Sequence, residues 1–440
     1  MPKILILGAG PAGLGAAWNL KEQGFFDFAV YEKLERPGGL ARSFTTEKGF
    51  TFDAGGHVLF SSEPLFKDML KEILGRDITS FARSSWIRMR ERFIPYPLQN
   101  NIHLLPEEEA LDCILGALEV FFGKSRKNPA NFGEWSLATF GSGLCRHFMF
   151  PYNSKVWAVP LELMNSAWIG SRVSVIDIKQ ILKSLILKKT ETEWGPNATF
   201  SYPLHGGFGR IFRELARNVG EEKIHYNKEA LRIDAGKKEV EFSSGEKVSY
   251  DFLLSTIPLN ELLLRTEGIP RRAKEYASEF LWNSLVAVGV GVRGSLPRDK
   301  HWIYFPEENF PFYRVTQLSN YSPFLTPGED CFSLLAEVSV SSYAQRNNRD
   351  LPEEVLAGLI KSELLSPSAR RDILDVWIHE EPYSYPIPFL RRDRILERVI
   401  PLLRGRNILS FGRFGLWKYE EGNTDHSFLQ GVRAARSVIS

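Results

Sequence analysis

Residues 3–7, apolar from Ile4 to Leu7 and ended by Gly8, have the pattern of a short strand buried on both faces. Residues 12–23 read as a helix closed by Gly24, and residues 28–32 as a second strand. A βαβ unit therefore opens the chain, as in dinucleotide-binding folds. Residues 106–122 and 176–188 read as helices; the second pairs an apolar face with a basic end in ILKSLILKK. Residues 224–256 carry two or three strands with a turn at Ser243-Ser244-Gly245. Residues 285–292, 301–305, 313–319 and 332–340 read as strands of a second sheet. Residues 351–364 are a helix with an acidic start, 408–412 a strand and 427–439 a terminal helix. The β/α and all-β stretches interleave, so the domains are expected to be discontinuous in sequence.

At 440 residues the chain is long enough for two or three domains. With 43% hydrophobic and 25% charged residues it is neither disordered, collagenous nor a coiled-coil rod. Lys and Arg number 55 against 53 Asp and Glu, a balance that argues against a general nucleic-acid binder but leaves room for local phosphate pockets. Cys113, Cys145 and Cys331 are far apart and odd in number, which argues against a disulfide framework or a metal set and for a reducing cytoplasm. No apolar stretch reaches the ~18 residues a membrane span needs, and the apolar run at the start ends at Leu7, so neither a span nor a targeting segment is expected.

Gly8-Ala9-Gly10-Pro11-Ala12-Gly13 fits GxGxxG between strand and helix. Gly8 permits the tight turn, Gly10 the approach of a pyrophosphate, and Gly13 close packing of helix on strand. Glu32 lies 19 residues beyond Gly13, where a carboxylate accepts the ribose hydroxyls of an adenosine. A second glycine turn, Arg36-Pro37-Gly38-Gly39-Leu40-Ala41-Arg42-Ser43, follows the second strand, and Asp53-Ala54-Gly55-Gly56-His57 is a third. Gly422-Asn423-Thr424-Asp425-His426-Ser427 precedes the last helix, whose N-terminus presents N–H groups to a polar ligand. From the second turn onward the sequence resembles the flavoprotein amine-oxidase and mutase superfamily, which implies FAD. The implied FAD-binding set is Gly8, Gly10, Pro11, Ala12, Gly13, Glu32, Lys33, Gly39, Leu40, Ala41, Gly55, Leu231, Gly412, Gly422, Asn423, Thr424 and Ser427.

Several longer strings narrow the resemblance. They include Gly55-Gly56-His57-Val58-Leu59-Phe60, Tyr96-Pro97-Leu98-Gln99-Asn100-Asn101 and Pro151-Tyr152-Asn153-Ser154-Lys155-Val156-Trp157-Ala158-Val159-Pro160. Trp168-Ile169-Gly170-Ser171-Arg172-Val173, Trp194-Gly195-Pro196-Asn197, Phe312-Tyr313-Arg314 and Gly412-Arg413-Phe414-Gly415 with Trp417-Lys418-Tyr419 belong to the same set. Together they resemble the UDP-galactopyranose mutases, nearer the eukaryotic type than the short bacterial one, from Gly8 to the final helix. The resemblance implies an α/β fold: a Rossmann-like FAD-binding domain from residues 1–80, 195–260 and 400–440, a helical substrate domain at 100–190, and a second, antiparallel β-sheet domain at 280–390.

It also implies the chemistry. Such mutases interconvert pyranose and furanose forms of a nucleotide-linked sugar through a covalent adduct at N5 of reduced FAD, without net redox, so the protein's work is placement and charge stabilisation. The implied catalytic residues are Arg172 and Arg314 on the leaving diphosphate, His57 beside flavin N5, and Gly56, whose carbonyl is placed to accept the N5–H. The implied substrate residues are Phe60, Tyr96, Gln99, Asn153, Trp157, Asn197, Tyr304, Tyr321, Tyr385, Arg413 and Tyr419. Leu98 stands where the eukaryotic enzymes carry Phe, which weakens a base sandwich and leaves a GDP-sugar as an alternative to a UDP-sugar. Arg83 and Ser85 match a pair that contacts NADPH in the eukaryotic enzymes. With no second GxGxxG, NADPH or NADH is expected to dock transiently in the substrate cleft. His205 and His426 read as structural, and no metal site is expected. Two competing readings are an FAD-dependent amine oxidase or desaturase, and a catalytically silent FAD-binding protein. A homo-oligomer is left open.

Overall fold

A computed structural model describes residues 2–123, 128–170, 175–190, 198–297, 299–347 and 349–439. Its first sheet has five parallel strands in the order Ile408–Ser410, Phe252–Ser255, Ile4–Leu7, Phe28–Tyr31, Ile224–His225. All four residues of the central strand are buried, which is why its apolar run shows no alternation. The helix Pro11–Glu22 covers one face and packs against the last helix, Thr424–Ile439. That crossing is made close by glycines: a Cβ on Gly431 would overlap the Ala12 carbonyl, and one on Gly15 the Phe428 carbonyl.

The span 224–256 holds five strands, more than the pattern implied. Ile224–His225 and Phe252–Ser255 join the parallel sheet, while Ala230–Asp234, Glu239–Phe242 and Lys247–Ser249 form a separate four-stranded sheet with Thr266–Glu267. The turn at Ser243-Ser244-Gly245 is closed by the Gly245 N–H on the Phe242 carbonyl at 2.9 Å, with Gly245 at φ +80°.

The third large sheet has seven strands: Ile373–Pro386, Trp282–Arg293, Cys331–Val340, Arg314–Thr316, Trp302–Tyr304, Ser85–Met89 and Arg92–Pro95, in that spatial order. Its pairs are antiparallel except Trp302–Tyr304 with Ser85–Met89. Three of these strands went unread in the sequence, and two of them lie outside the 280–390 span. The hairpin Ser43–Thr45/Thr51–Asp53 lies across this sheet, seating Phe52 on Gly289 and Phe50 on Gly291. A Cβ on either glycine would stand 2.6 Å from the ring above it. That seating fixes where the next residues, Gly55-Gly56-His57, must fall.

Helices Glu107–Phe121, Phe132–Leu144, Phe150–Trp157 and Ile178–Leu187 form the remaining layer. Phe150–Trp157 is tied to the seven-stranded sheet by side chains that satisfy its last carbonyls: Asn283 and Ser339 donate to Val156 O, each at 2.8 Å. Among the described residues no helix is long and apolar enough to cross a membrane.

Candidate active site

A long groove opens at the C-terminal ends of the parallel strands. The N-terminus of Pro11–Glu22 points into it with no side-chain cap, which leaves its N–H groups and the helix dipole for an anion. Gly10 and Gly39 face each other so closely that a Cβ on Gly39 would lie 3.1 Å from Gly10 Cα. Gly8, Gly10, Pro11, Ala12, Glu32, Lys33, Gly39, Leu40, Ala41, Gly412, Gly422, Thr424 and Ser427 all line this groove, together with His57 and Arg413. Gly13 does not; a Cβ there would overlap the Gly8 carbonyl, so it serves the packing of helix on strand. Leu231 also stands apart, its side chain turned to solvent while its neighbour Ala230 lines the groove. Asn423 accepts the Ser427 N–H at 2.8 Å, inside the turn that starts the last helix.

Glu32 is buried and accepts the N–H of Ala9 at 2.7 Å and of Leu34 at 2.9 Å. Burial pushes its carboxyl up, and the two backbone bonds oppose that shift. A carboxylate has about four acceptor sites, so ribose hydroxyls can still be received. One charged groove residue had no role assigned to it from sequence. Arg42 donates to the Gly39 carbonyl at 2.7 Å and pairs with Glu381 at 2.8 Å, beside the second glycine turn. An uncapped helix end, turns that tolerate only glycine and a buried carboxylate one strand over make a cradle that fits FAD.

The groove runs on to Gly56 and His57. There Arg314 donates to the Gly56 carbonyl at 3.1 Å and grips Glu337 with Nη2 at 2.7 Å and with Nε. Glu337 also accepts the Gly56 N–H and the Tyr313 hydroxyl, each at 3.1 Å. Burial alone would raise the Glu337 carboxyl, but Arg314 holds it below the usual range, while Glu337 overcomes the burial cost of the guanidinium and keeps it charged. His57 stacks on Phe208 with ring centres 5.2 Å apart. Burial pushes its imidazole down to about 4, Arg413 and Arg314 adding to that and Glu337 opposing it. One turn earlier Asp53 is wholly buried and accepts from Ser43 Oγ at 2.5 Å, Tyr202 Oη at 2.6 Å and Phe208 N at 3.0 Å. That network anchors the ring on which His57 lies.

Around this point stand the aromatic residues. Tyr304 accepts the Trp302 Nε1–H at 2.8 Å and meets Tyr96 edge-on at 5.2 Å. Tyr385 and Tyr419 lie 5.4 Å apart, with Trp157 4.9 Å from Tyr419. Burial raises the phenols of Tyr96, Tyr304 and Tyr385, so all three stay protonated donors. Arg413 donates to Gly422 O at 2.9 Å and lies over the Tyr385 ring. Arg83 is near enough to Tyr96 and Tyr304 to act on both electrostatically, and the Ser85 carbonyl receives the Tyr96 N–H at 3.0 Å. Other expected contacts are turned inward. Trp157 Nε1 donates to Asn153 Oδ1 at 3.2 Å with both side chains buried, Gln99 is buried, and Tyr321 packs in the core against Phe200 and Tyr202. Phe60 is half-buried with its edge on Phe200. Leu98 is fully buried in the apolar core under the helices, so it offers no face to a base. Arg172 and Asn197 lie outside the described residues. Among those described, no cluster of His, Cys, Asp and Glu could hold a metal ion.

The fold and groove define a flavoprotein of the amine-oxidoreductase class, and the sequence profile of the flavin-containing amine oxidoreductase family matches residues 11–439. Within that class the chain belongs to the UDP-galactopyranose mutase family, whose members are isomerases. It is 41% identical to a UDP-galactopyranose mutase solved in its reduced state, with a TM-score of 0.96 over 100% of this chain and 94% of that one. More distant solved structures share the fold. One, described as a protoporphyrinogen oxidase from Exiguobacterium sp. 255-15, has 15% identity and a TM-score of 0.75 over 99% of this chain and 98% of its own. A 79-residue segment is 37% identical to a zeta-carotene-forming phytoene desaturase of Myxococcus xanthus, covering 18% of this chain and only 14% of that protein's length. The oxidase reading thus holds only at the level of the broader family.

Proposed function

We propose that the protein interconverts the pyranose and furanose forms of a UDP-linked hexose, UDP-galactopyranose and UDP-galactofuranose, with reduced FAD. The observation that carries this reading is Arg314: a guanidinium held by a buried carboxylate at the end of the flavin groove, ringed by protonated tyrosines. Bound reduced FAD supplies a nucleophilic ring nitrogen for the anomeric carbon. The protein's residues do the rest. Arg314 presents a fixed positive charge where a leaving diphosphate gathers negative charge, and Arg172 is assigned the same task. Tyr304, Tyr385 and Tyr419 donate hydrogen bonds to the same phosphates, and Arg413 adds charge from the other wall. Neutral His57 and the Gly56 backbone shape the flavin edge without taking a proton from it.

NADPH or NADH, docking transiently near Arg83, Ser85 and Tyr96, is the proposed source of reducing equivalents. Uracil is the proposed base, since the buried position of Leu98 removes the one departure that pointed elsewhere. The three free cysteines suit a reducing cytoplasm, and a furanose product suits cell-surface glycan synthesis. The test is to incubate dithionite-reduced protein with UDP-galactofuranose and follow the pyranose by chromatography. Turnover that requires reduced flavin supports the reading; no turnover with UDP-sugars alongside turnover of GDP-sugars moves the base, and oxygen consumption with amines overturns it.

A further inference from the structure

Arg392 is among the largest fully buried side chains in the protein, yet it lines none of the groove. Its guanidinium grips Glu420 with both terminal nitrogens, at 2.9 and 2.7 Å, and its Nε donates to Asp393 at 2.9 Å. Two parallel bonds in one plane are a geometry only arginine makes, and a charge so deeply buried is tolerated only when paired in this way.

The position of this pair gives it a purpose. Glu420 sits in the short turn Tyr419–Glu421, directly after the tyrosine proposed for the diphosphate. Arg392 starts the helix Arg392–Arg404, and the residues before it are bound to the helical layer: Leu390 N donates to Leu163 O at 3.1 Å and Asn165 N to Pro388 O at 2.7 Å. A few residues on, Trp168 packs against the Tyr419 ring at 5.4 Å. Arg392 therefore stands directly after the stretch that the helical layer holds, and its side chain ties that stretch to the turn carrying Tyr419.

We infer that Arg392 is a positioning residue for substrate binding: acting through Glu420, it holds the Tyr419 hydroxyl in place for the nucleotide's diphosphate. This rests on the proposed role of Tyr419. The test compares Y419F, R392K, E420Q and R392K/Y419F as FAD-loaded proteins, reading the affinity for UDP and kcat and KM with reduced enzyme. A hydrogen bond to a charged phosphate is worth roughly 10- to 100-fold in affinity. Y419F and R392K are each expected to weaken UDP about tenfold, with FAD content unchanged, and the double variant to be no worse than Y419F within twofold. A merely structural Arg392 would give multiplied losses instead. If Y419F is impaired while R392K binds UDP normally, or if the losses multiply, the inference fails alone. If Y419F itself binds and turns over normally, the reading of Tyr419 fails and the inference with it. E420Q must match R392K. Should R392K not accumulate, R392Q/E420Q removes both charges together and reads the same constants.

Discussion

Arg314 and Glu337 face each other directly on neighbouring antiparallel strands, and the same guanidinium reaches past the carboxylate to the Gly56 carbonyl. Sheet register thus sets the position of the charge beside His57. E337Q keeps the shape but removes the counter-charge. Breaking a buried pair in this way costs ~3–5 kcal/mol, and the cleft side of Arg314 keeps some solvent, so a loss of about 2–4 kcal/mol is expected, read as a lower midpoint in thermal unfolding. An unchanged midpoint would mean that Arg314 finds another partner.

R314A should slow turnover of chemically reduced enzyme about 30- to 1000-fold, the kinetic equivalent of ~2–4 kcal/mol of transition-state stabilisation. R314K should recover only part, because an ammonium cannot hold Glu337, Gly56 and a phosphate in one plane. R172A is expected to match it, while R413A should cost more in reduction by NADPH than in the mutase step. Single-turnover kinetics separate the two effects, and near-normal turnover in R314A would remove the main support for the mechanism.

His57 should stay neutral across the physiological range. Burial beside Arg413 and Arg314 takes its imidazole down to about 4. In labelled protein the ring signals lost in H57Q should not titrate between pH 5.5 and 8. A midpoint near 6.5 would show an imidazole open to water.

Asp53 predicts a slope of the opposite kind. Burial lifts its carboxyl to about 6, above the ~3.9 of an unfolded chain. The folded state therefore holds the proton more tightly, and the stability this brings is full below about pH 3.9 and lost as pH rises through about 6. From pH 4.5 to 7.5 the protein should lose ~2 kcal/mol more than D53N, whose amide cannot ionise. Urea unfolding at a series of pH values gives the comparison, and parallel curves would refute it.

G431A should fail where the two helices of the flavin domain cross. The new methyl meets the Ala12 backbone, which cannot turn aside as a side chain can. Overpacking of this kind costs ~1–3 kcal/mol or more, and Ala12 also lines the groove, so FAD occupancy in purified protein should fall with stability.

What could be read from the sequence depended on how loudly the physics spoke. Ile4–Leu7 is buried on both faces and announces itself as an unbroken apolar run. Ser85–Met89 and Arg92–Pro95 do not, because the turn between them places Arg90 and Glu91 at φ 51° and 57°, a left-handed turn without the Asn or Gly that would have marked it. Ile373–Pro386 hid for another reason: as an edge strand it shows Val376 and Ile378 to solvent while Trp377 and His379 turn inward, which blurs the alternation. Glu337 did leave a trace, a lone carboxylate within the apolar run CFSLLAEVSV. Such a residue needs a partner, and only the sheet register identifies that partner as Arg314. Arg392 and Glu420 left none, since both sit among ordinary surface-like charges in the sequence.

The order of strands in the parallel sheet has a consequence for how the protein is made. Ile4–Leu7 pairs with Phe252–Ser255, far away in sequence, and Phe252–Ser255 pairs in turn with the edge strand Ile408–Ser410, while the helix that covers Gly15 is Thr424–Ile439. The flavin groove draws on both extremes, with Gly8 and Gly10 from the start and Gly422 and Ser427 from the end. The groove can form only once these distant segments have met, and long-range pairing of this kind is slow. Because a ligand that binds only the folded state stabilises it by mass action, FAD-loaded protein should resist proteolysis longer than protein stripped of FAD.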